Sequence, residues 1–239
     1  MATIGRWTGG TIGSLVPTTS WAAPNGLFPT QNRNDSSAYS FTSSTSTLTL
    51  PSTDLADGYL IRATVEYHYS AASTVQLMNF QAKIIQASGT GNFVSPQVSG
   101  THYDGGEDRI FLHVVAFVDN PSAAATFQFQ WQRFTKNAPA ATNGTVNSAI
   151  EVVPFYYSNI GMYSEATTVN DFNTTTTEVV TLGTTVTESD TNAIQIASNV
   201  VTVKGNNKRY FVIGSMYMEG VVYGATHQSR TISLEKDGT

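Results

Sequence analysis

The sequence predicts an all-β fold: a jelly-roll sandwich followed by the front half of a second, similar β unit. Three observations predict it. Short runs rich in Thr, Val, Tyr and Phe recur between turn signals at intervals of about 8–12 residues, the spacing of sandwiches and barrels. The run Phe127-Gln-Phe-Gln-Trp-Gln alternates without a break, so one face of that strand is buried and the other is wet. The pattern of residues 57–69 returns at 208–219, where Tyr59, Leu60, Ile61 and Val65 answer to Tyr210, Phe211, Val212 and Met216. Each copy follows a short alternating strand, 47–50 or 200–203, and each leads to a later strand that closes on Gly-Thr. An internal repeat defines what one folding unit is. Here it makes one unit whole and begins another.

Composition narrows the function classes. Of 239 residues, 40% are apolar and 12% are charged, about half the usual charged share. Such a chain buries a core. The net charge of -5 and a pI near 5.3 argue against a nucleic-acid partner, since phosphate neutralisation needs a Lys/Arg arm and no basic run occurs. With no cysteine, disulfide scaffolds, thiolate chemistry and Cys-based metal sites are excluded. The first ten residues lack the basic-then-apolar pattern of a signal peptide. No apolar run approaches the ~18 residues of a helical membrane span. The expectation is a protein made in a cytoplasm without export and without a membrane partner.

Taken in order, residues 1–33 read as an extended N-terminal arm. Gly5, Gly9, Gly10 and Gly13, then Pro17, Pro24 and Pro29, interrupt any strand or helix period. Trp7, Trp21, Leu27 and Phe28 lie scattered among them. These aromatics either fold back on their own domain or dock on a neighbouring subunit.

Residues 34–164 read as the sandwich, with strands at 39–41, 47–50, 59–69, 75–85, 110–118, 125–133 and 150–157. The run 110–118 is nearly continuous apolar, which predicts cover on both faces. Residues 54–58 and Asp119-Asn-Pro121 are turns. The one helical candidate, 71–79, is short. Residues 88–108 and 135–148, rich in Gly, Ala, Thr and Asn, read as exposed loops.

Residues 165–192 are Thr-rich and read as a linker passing into an entry strand. Residues 193–239 carry strands at 193–196, 200–203, 210–218 and 231–234, the first half of a second unit. They stop at Asp237-Gly238, a hairpin signal with no partner strand after it. A half sandwich leaves an apolar face and an open edge. The natural chain continues past residue 239, or another chain completes the unit, or these strands pack on the first unit. The break at a turn favours continuation.

The pieces Leu48-Thr-Leu50, Asp57-Gly-Tyr-Leu-Ile-Arg-Ala-Thr-Val65 and Ile150-Glu-Val-Val-Pro-Phe-Tyr-Tyr-Ser-Asn-Ile160 carry a likeness. In the second copy Asn199-Val-Val-Thr-Val203, Tyr210-Phe-Val-Ile213 and Ile232-Ser-Leu-Glu-Lys-Asp-Gly-Thr239 follow the same order. This order resembles the trimeric jelly rolls of the tumour-necrosis-factor and complement globular-head superfamily. The resemblance implies a homotrimer with aromatic side chains along the threefold axis. The candidates are Tyr67, Tyr69, Phe155 and Tyr157, against the alternative that they are ordinary core residues. No collagen-like stalk or membrane anchor is visible, so a signalling role is not expected.

A cysteine-free β chain rich in Thr, Ser, Asn and Gly, with an irregular aromatic arm, also looks like a tailed-phage virion component. That likeness implies a capsid decoration (cement) protein or a fibre head. Its partners would be copies of itself and the major capsid protein or other virion proteins. Trp7, Trp21, Leu27 and Phe28 would grip the shell.

No motif of catalysis stands out. His68, His102, His113 and His227 show no metal-ligand spacing. His113 is expected in the core, and His68 on a strand face. There is no nucleophile elbow and no phosphate loop. Asp104-Gly-Gly-Glu107-Asp108 is the densest carboxylate cluster. Loop oxygens there could take Ca²⁺, but the spacing is not that of an EF-hand, and a solvated loop tip is the plainer reading. Asn34, Asn143 and Asn173 begin glycosylation sequons, which chance supplies in a chain this rich in Asn and Thr. Phe93, Tyr103 and Asn143 sit in expected loops, where aromatic faces pack on sugar rings. They define the alternative, a receptor- or glycan-binding fibre head that meets a host surface glycan. A glycan-processing enzyme would need two carboxylates fixed across a cleft, and no such pair is visible. The expectation is a non-enzymatic virion protein with no cofactor and no metal.

Overall fold

Alternation along the strands decides the architecture. In residues 58–70, Tyr59, Ile61, Ala63, Val65 and Tyr67 are all buried, while Arg62 and Thr64 face water. In residues 126–134, Phe127, Phe129 and Trp131 are buried. Two such half-buried sheets stack face to face and share one core. The structure, a computed structural model, describes residues 4–13, 15–70, 77–103, 107–134, 144–157, 161–165, 182–188, 194–197 and 200–203.

The strands are β1 (Gly5–Gly9), β2 (Ile12–Gly13), β3 (Thr30–Asn34), β4 (Ser40–Thr42), β5 (Thr47–Thr49), β6 (Gly58–Ser70), β7 (Leu77–Ser88) and β8 (Asn92–Val94). They continue as β9 (Val98–Tyr103), β10 (Glu107–Asp119), β11 (Thr126–Phe134), β12 (Gly144–Phe155), β13 (Gly161–Glu165), β14 (Leu182–Glu188), β15 (Ile194–Ala197) and β16 (Val200–Val203). A seven-stranded antiparallel sheet runs β3-β1-β12-β6-β10-β8, with β2 also on β12. A five-stranded antiparallel sheet runs β4-β5-β11-β7-β9. From β5 to β12 the chain passes repeatedly from one sheet to the other, so the strands interleave as in a jelly roll. The result is a sandwich and not a barrel. Its centre is aromatic: Tyr67 packs on Phe80 at 4.5 Å between ring centroids, and Phe28 meets Phe129 edge-on at 5.6 Å.

The expected N-terminal arm over residues 1–33 is corrected: its described residues belong to the sandwich. β1 lies inside the large sheet, paired with β12 on one side and β3 on the other. Trp7 is 4% exposed, and Leu27 and Phe28 are fully buried. The glycines that hid the strand are packing devices. At Gly9 a Cβ would stand 2.1 Å from the Leu27 carbonyl oxygen, which also accepts a 2.6 Å hydrogen bond from Ser148 Oγ. A strand with glycine at two of its three inward positions shows no hydrophobic alternation to a reader of residue types.

β10 corrects a second expectation. The run 110–118 is not covered on both faces. Ile110, Leu112, Val114, Ala116 and Val118 are buried, but His113 is exposed and Phe111 is 67% exposed. The expected loop 88–108 contains two strands, β8 and β9. Residues 77–79 of the helical candidate open strand β7, and 71–76 lie outside the described residues. β13, at the end of the range expected as sandwich, pairs β14 in the expected linker region, and β15 pairs β16 where the second unit was expected to begin. The rest of that unit, including the repeat at Tyr210, lies outside the described residues.

Candidate functional site

The side of the large sheet that faces away from the core carries the candidate site. Register places Val153, Leu60, Phe117 and Val94 in one row across β12, β6, β10 and β8. All four take the outward parity of their strands. A water-facing side of an antiparallel sheet is normally polar, so an apolar row here is a feature to explain. Leu60, flanked by Val153 and Phe117, keeps only 7% exposure although it points outward. The Phe117 ring lies 6.1 Å from Phe155 and 6.3 Å from Tyr157.

A polar knot holds this end together. The Tyr157 hydroxyl sits between the Asp57 carbonyl, at 2.9 Å, and the Asp119 carboxylate. The Tyr157 N–H donates to Asp57 Oδ2 at 2.8 Å, and Asn92 Nδ2 donates to Asp119 Oδ2 at 3.0 Å. Burial first, then the hydrogen bond and charge of Asp119, push the Tyr157 hydroxyl well above the usual tyrosine range. Gly58 makes room for the knot: a Cβ there would lie 2.7 Å from the Phe117 ring and 2.8 Å from the Tyr157 hydroxyl. The Asp57-Gly58-Tyr59 turn is therefore the seat of the cluster as well as a strand opening.

Charge occupies the middle of the face. Arg6 and Arg62 share Glu151, with Arg6 Nε 3.3 Å from Oε1 and Arg62 Nη2 on Oε2. Nearer the far end of β6, Glu66 accepts from Arg109 Nη1 and from Asn147 Nδ2, the latter at 2.7 Å. The Glu66 side chain is 10% exposed. Its carboxyl is held below the usual glutamate range by the Asn147 and Arg109 hydrogen bonds, against the opposing effect of burial. A lowered folded value means stability that is full above the unfolded pKa, about 4.3, and lost as pH falls through the folded one. Glu66→Gln should therefore flatten the acid side of the stability curve measured by urea unfolding at successive pH values. An unchanged acid slope would refute the role given to this carboxylate.

The residues singled out in the sequence land in different places. Phe155 and Tyr157 do lie on the outer face. Tyr67 does not: it is fully buried between Phe80 and Trp131, an ordinary core residue. Tyr69 is in β6, with its side chain outside the described residues. Of the four arm residues, only Trp21 is left at the surface, half-buried, with Lys83 Nζ 4.1 Å above its ring. Phe93 packs on Phe127 at 5.5 Å and is half-buried, so its ring is already engaged. Tyr103 ends β9, and Glu107 and Asp108 open β10, with side chains outside the described residues; Asp104 and Asn143 lie wholly outside them. His113 is exposed on the outer face, where a core position was expected. Among the described residues no three His, Asp or Glu groups are placed to hold a metal ion.

Leu60, Phe117, Val153 and Phe111 were missed by sequence reasoning. Their signal was parity: Leu60 shares a strand side with Arg62 and Glu66, which a core leucine would not. No protein-family model and no curated protein matches the chain. No helix among the described residues is long and apolar enough to cross a membrane.

Proposed function

We propose that the protein is a non-enzymatic virion component, a capsid decoration (cement) protein that assembles as a homotrimer through the outer face of its large sheet. One observation carries the reading: the outward row Val153, Leu60, Phe117 and Val94, continued by Phe155 and Tyr157. Apolar area on a sheet side is stabilised when a second surface removes it from water, at roughly 25 cal/mol per Å². The jelly-roll strand order and the outward Phe155 and Tyr157 support the likeness to tumour-necrosis-factor-like and complement-head trimers. Shell binding falls to Trp21, since Trp7, Leu27 and Phe28 are spent in the core. Three copies of a weak contact then act together through effective concentration.

Light scattering coupled to gel filtration tests the assembly. The wild type should elute with three times the chain mass, and Phe117→Glu should elute as a folded monomer with an unchanged β-sheet circular dichroism spectrum. A wild type that stays monomeric at all concentrations would remove the proposal. Copy number in purified particles, expected as a multiple of three, tests the virion assignment. A fibre head with a host glycan as partner is the second reading, favoured by the polar and aromatic end of the same face.

A further inference from the structure

We propose that the large sheet carries a binding site for a neutral pyranose sugar at its Arg109 end, with Phe111 as the stacking surface and Glu66, Asn147 and Arg109 as the polar wall. Phe111 is the starting point. It is 67% exposed in the middle of a regular strand, where packing would favour a polar side chain. Only one other large apolar residue is comparably exposed among the described residues, Tyr156, just past the end of β12.

Register sets the polar groups beside the ring. Glu66 lies directly across from Phe111, and Asn147 directly across from Glu66. Cross-strand neighbours stand about 5 Å apart, so ring, carboxylate and amide form one row roughly 10 Å long. A sugar ring offers an apolar C–H face and a rim of hydroxyls. An aromatic ring beside planar polar side chains meets both at once.

The amide is there because the strand is irregular. β12 pairs Thr145 with Tyr67, and a regular ladder would then set Val146 opposite Glu66. The register shift between Thr145 and Asn147 skips Val146 and sets Asn147 there instead. A bulge that replaces a valine by an asparagine beside a carboxylate re-aims a side chain, as bulges near binding sites do.

The carboxylate is also fixed in advance. Its side chain is 10% exposed and both oxygens are engaged, by Arg109 and by Asn147. Two bonds leave a carboxylate with further acceptor capacity for sugar hydroxyls. A side chain already held loses little freedom when ligand binds. Arg109 offsets the Glu66 charge, so the wall presents donors and acceptors with little net charge. That selects a neutral hexose over a sialic acid. The site is six residues along β10 from Phe117, roughly 20 Å at strand rise, so it does not compete with the apolar row and does not depend on the trimer.

A glycan array with the full chain, followed by titration calorimetry on the best neutral glycan, tests the proposal. Wild type is expected to bind neutral hexose-terminated glycans. Phe111→Ala and Asn147→Ala should each weaken binding about tenfold or more, while Phe117→Glu leaves the intrinsic affinity per site unchanged. Gel filtration and circular dichroism of each variant show that it is folded, and the Asn147 variant, on an exposed polar side chain, stands in if Phe111→Ala does not fold. The proposal is overturned if wild type binds no neutral glycan, if it binds only sialylated ones, or if both Ala variants bind as well as wild type. It is equally overturned if Phe111→Ala changes the oligomeric mass and leaves glycan binding intact, since Phe111 is then an interface residue.

Discussion

Trp7→Ala should lower the stability of the whole sandwich by about 3–5 kcal/mol, the range for emptying a buried aromatic site. For a chain of this size that is a fall in melting temperature of roughly 6–20 °C. The reason is position. β1 sits between β3 and β12, and the Trp7 ring reaches across to the other sheet, stacking on Phe41 of β4 at 5.2 Å and 28°. The indole therefore ties the two layers together, and its loss leaves a cavity that the flanking strands cannot close. Trp21→Ala should cost less than about 1 kcal/mol, because that ring is half-buried outside the core and pairs with Lys83. Chemical denaturation of the two variants separates the readings of the N-terminal segment. Equal, small effects would restore a free arm with Trp7 at its surface. A large effect at Trp7 alone assigns shell contact, if there is any, to Trp21.

How much of this was legible depended on whether parity could be read from residue type. In β11 it could in part: Phe127, Phe129 and Trp131 alternate with glutamines and form the core side as expected, while on the side expected to be wet Gln128 and Gln130 are half-buried and Gln132 is buried, donating to Gln81. In β6 the alternation was equally plain, with Tyr59, Ile61, Ala63, Val65 and Tyr67 on one side. The family likeness adds Tyr67 as an axis candidate beside the core reading, and its own period favours the core, where it lies. β10 could be read as a strand, but not in its parity. Phe111, Val115 and Phe117 share the outer side with His113, so both parities look apolar and the strand reads as doubly covered. If a neighbouring subunit covers the Phe117 end of that side, the sequence carries the information of the assembly there, and a single chain cannot decode it. β1 failed for the opposite reason, since Gly5 and Gly9 leave no side chain to alternate. The Glu66 site was illegible because its members come from three strands and a bulge, and no spacing within the chain announces a cross-strand row.

Asp119→Ala should destabilise the fold by about 1–3 kcal/mol and disperse the trimer at the same time. Asp119 closes β10 with 8% exposure, and its two oxygens serve Tyr157 and Asn92. Removing the carboxylate leaves the Asn92 amide, on an exposed residue, to water and the half-buried Tyr157 hydroxyl with only the Asp57 carbonyl, and a polar group that loses its partner away from water costs about 1–3 kcal/mol. The consequence spreads because Tyr157 packs on Phe117, which packs on Phe155. Once Tyr157 is released, the apolar end of the face loses the geometry that a partner would meet. Asp119→Asn keeps one acceptor and should lose less. Tyr157→Phe removes the other side of the same bond, so the double variant Asp119→Ala/Tyr157→Phe should fall short of the sum of the singles by about 1 kcal/mol or more, as coupled neighbours do. Urea unfolding measures the cycle, and light scattering on the same samples measures the mass. Additive stabilities would mean that the hydroxyl and the carboxylate act independently. A fully trimeric Asp119→Ala variant would detach the knot from assembly and leave it as a strand-end clasp alone.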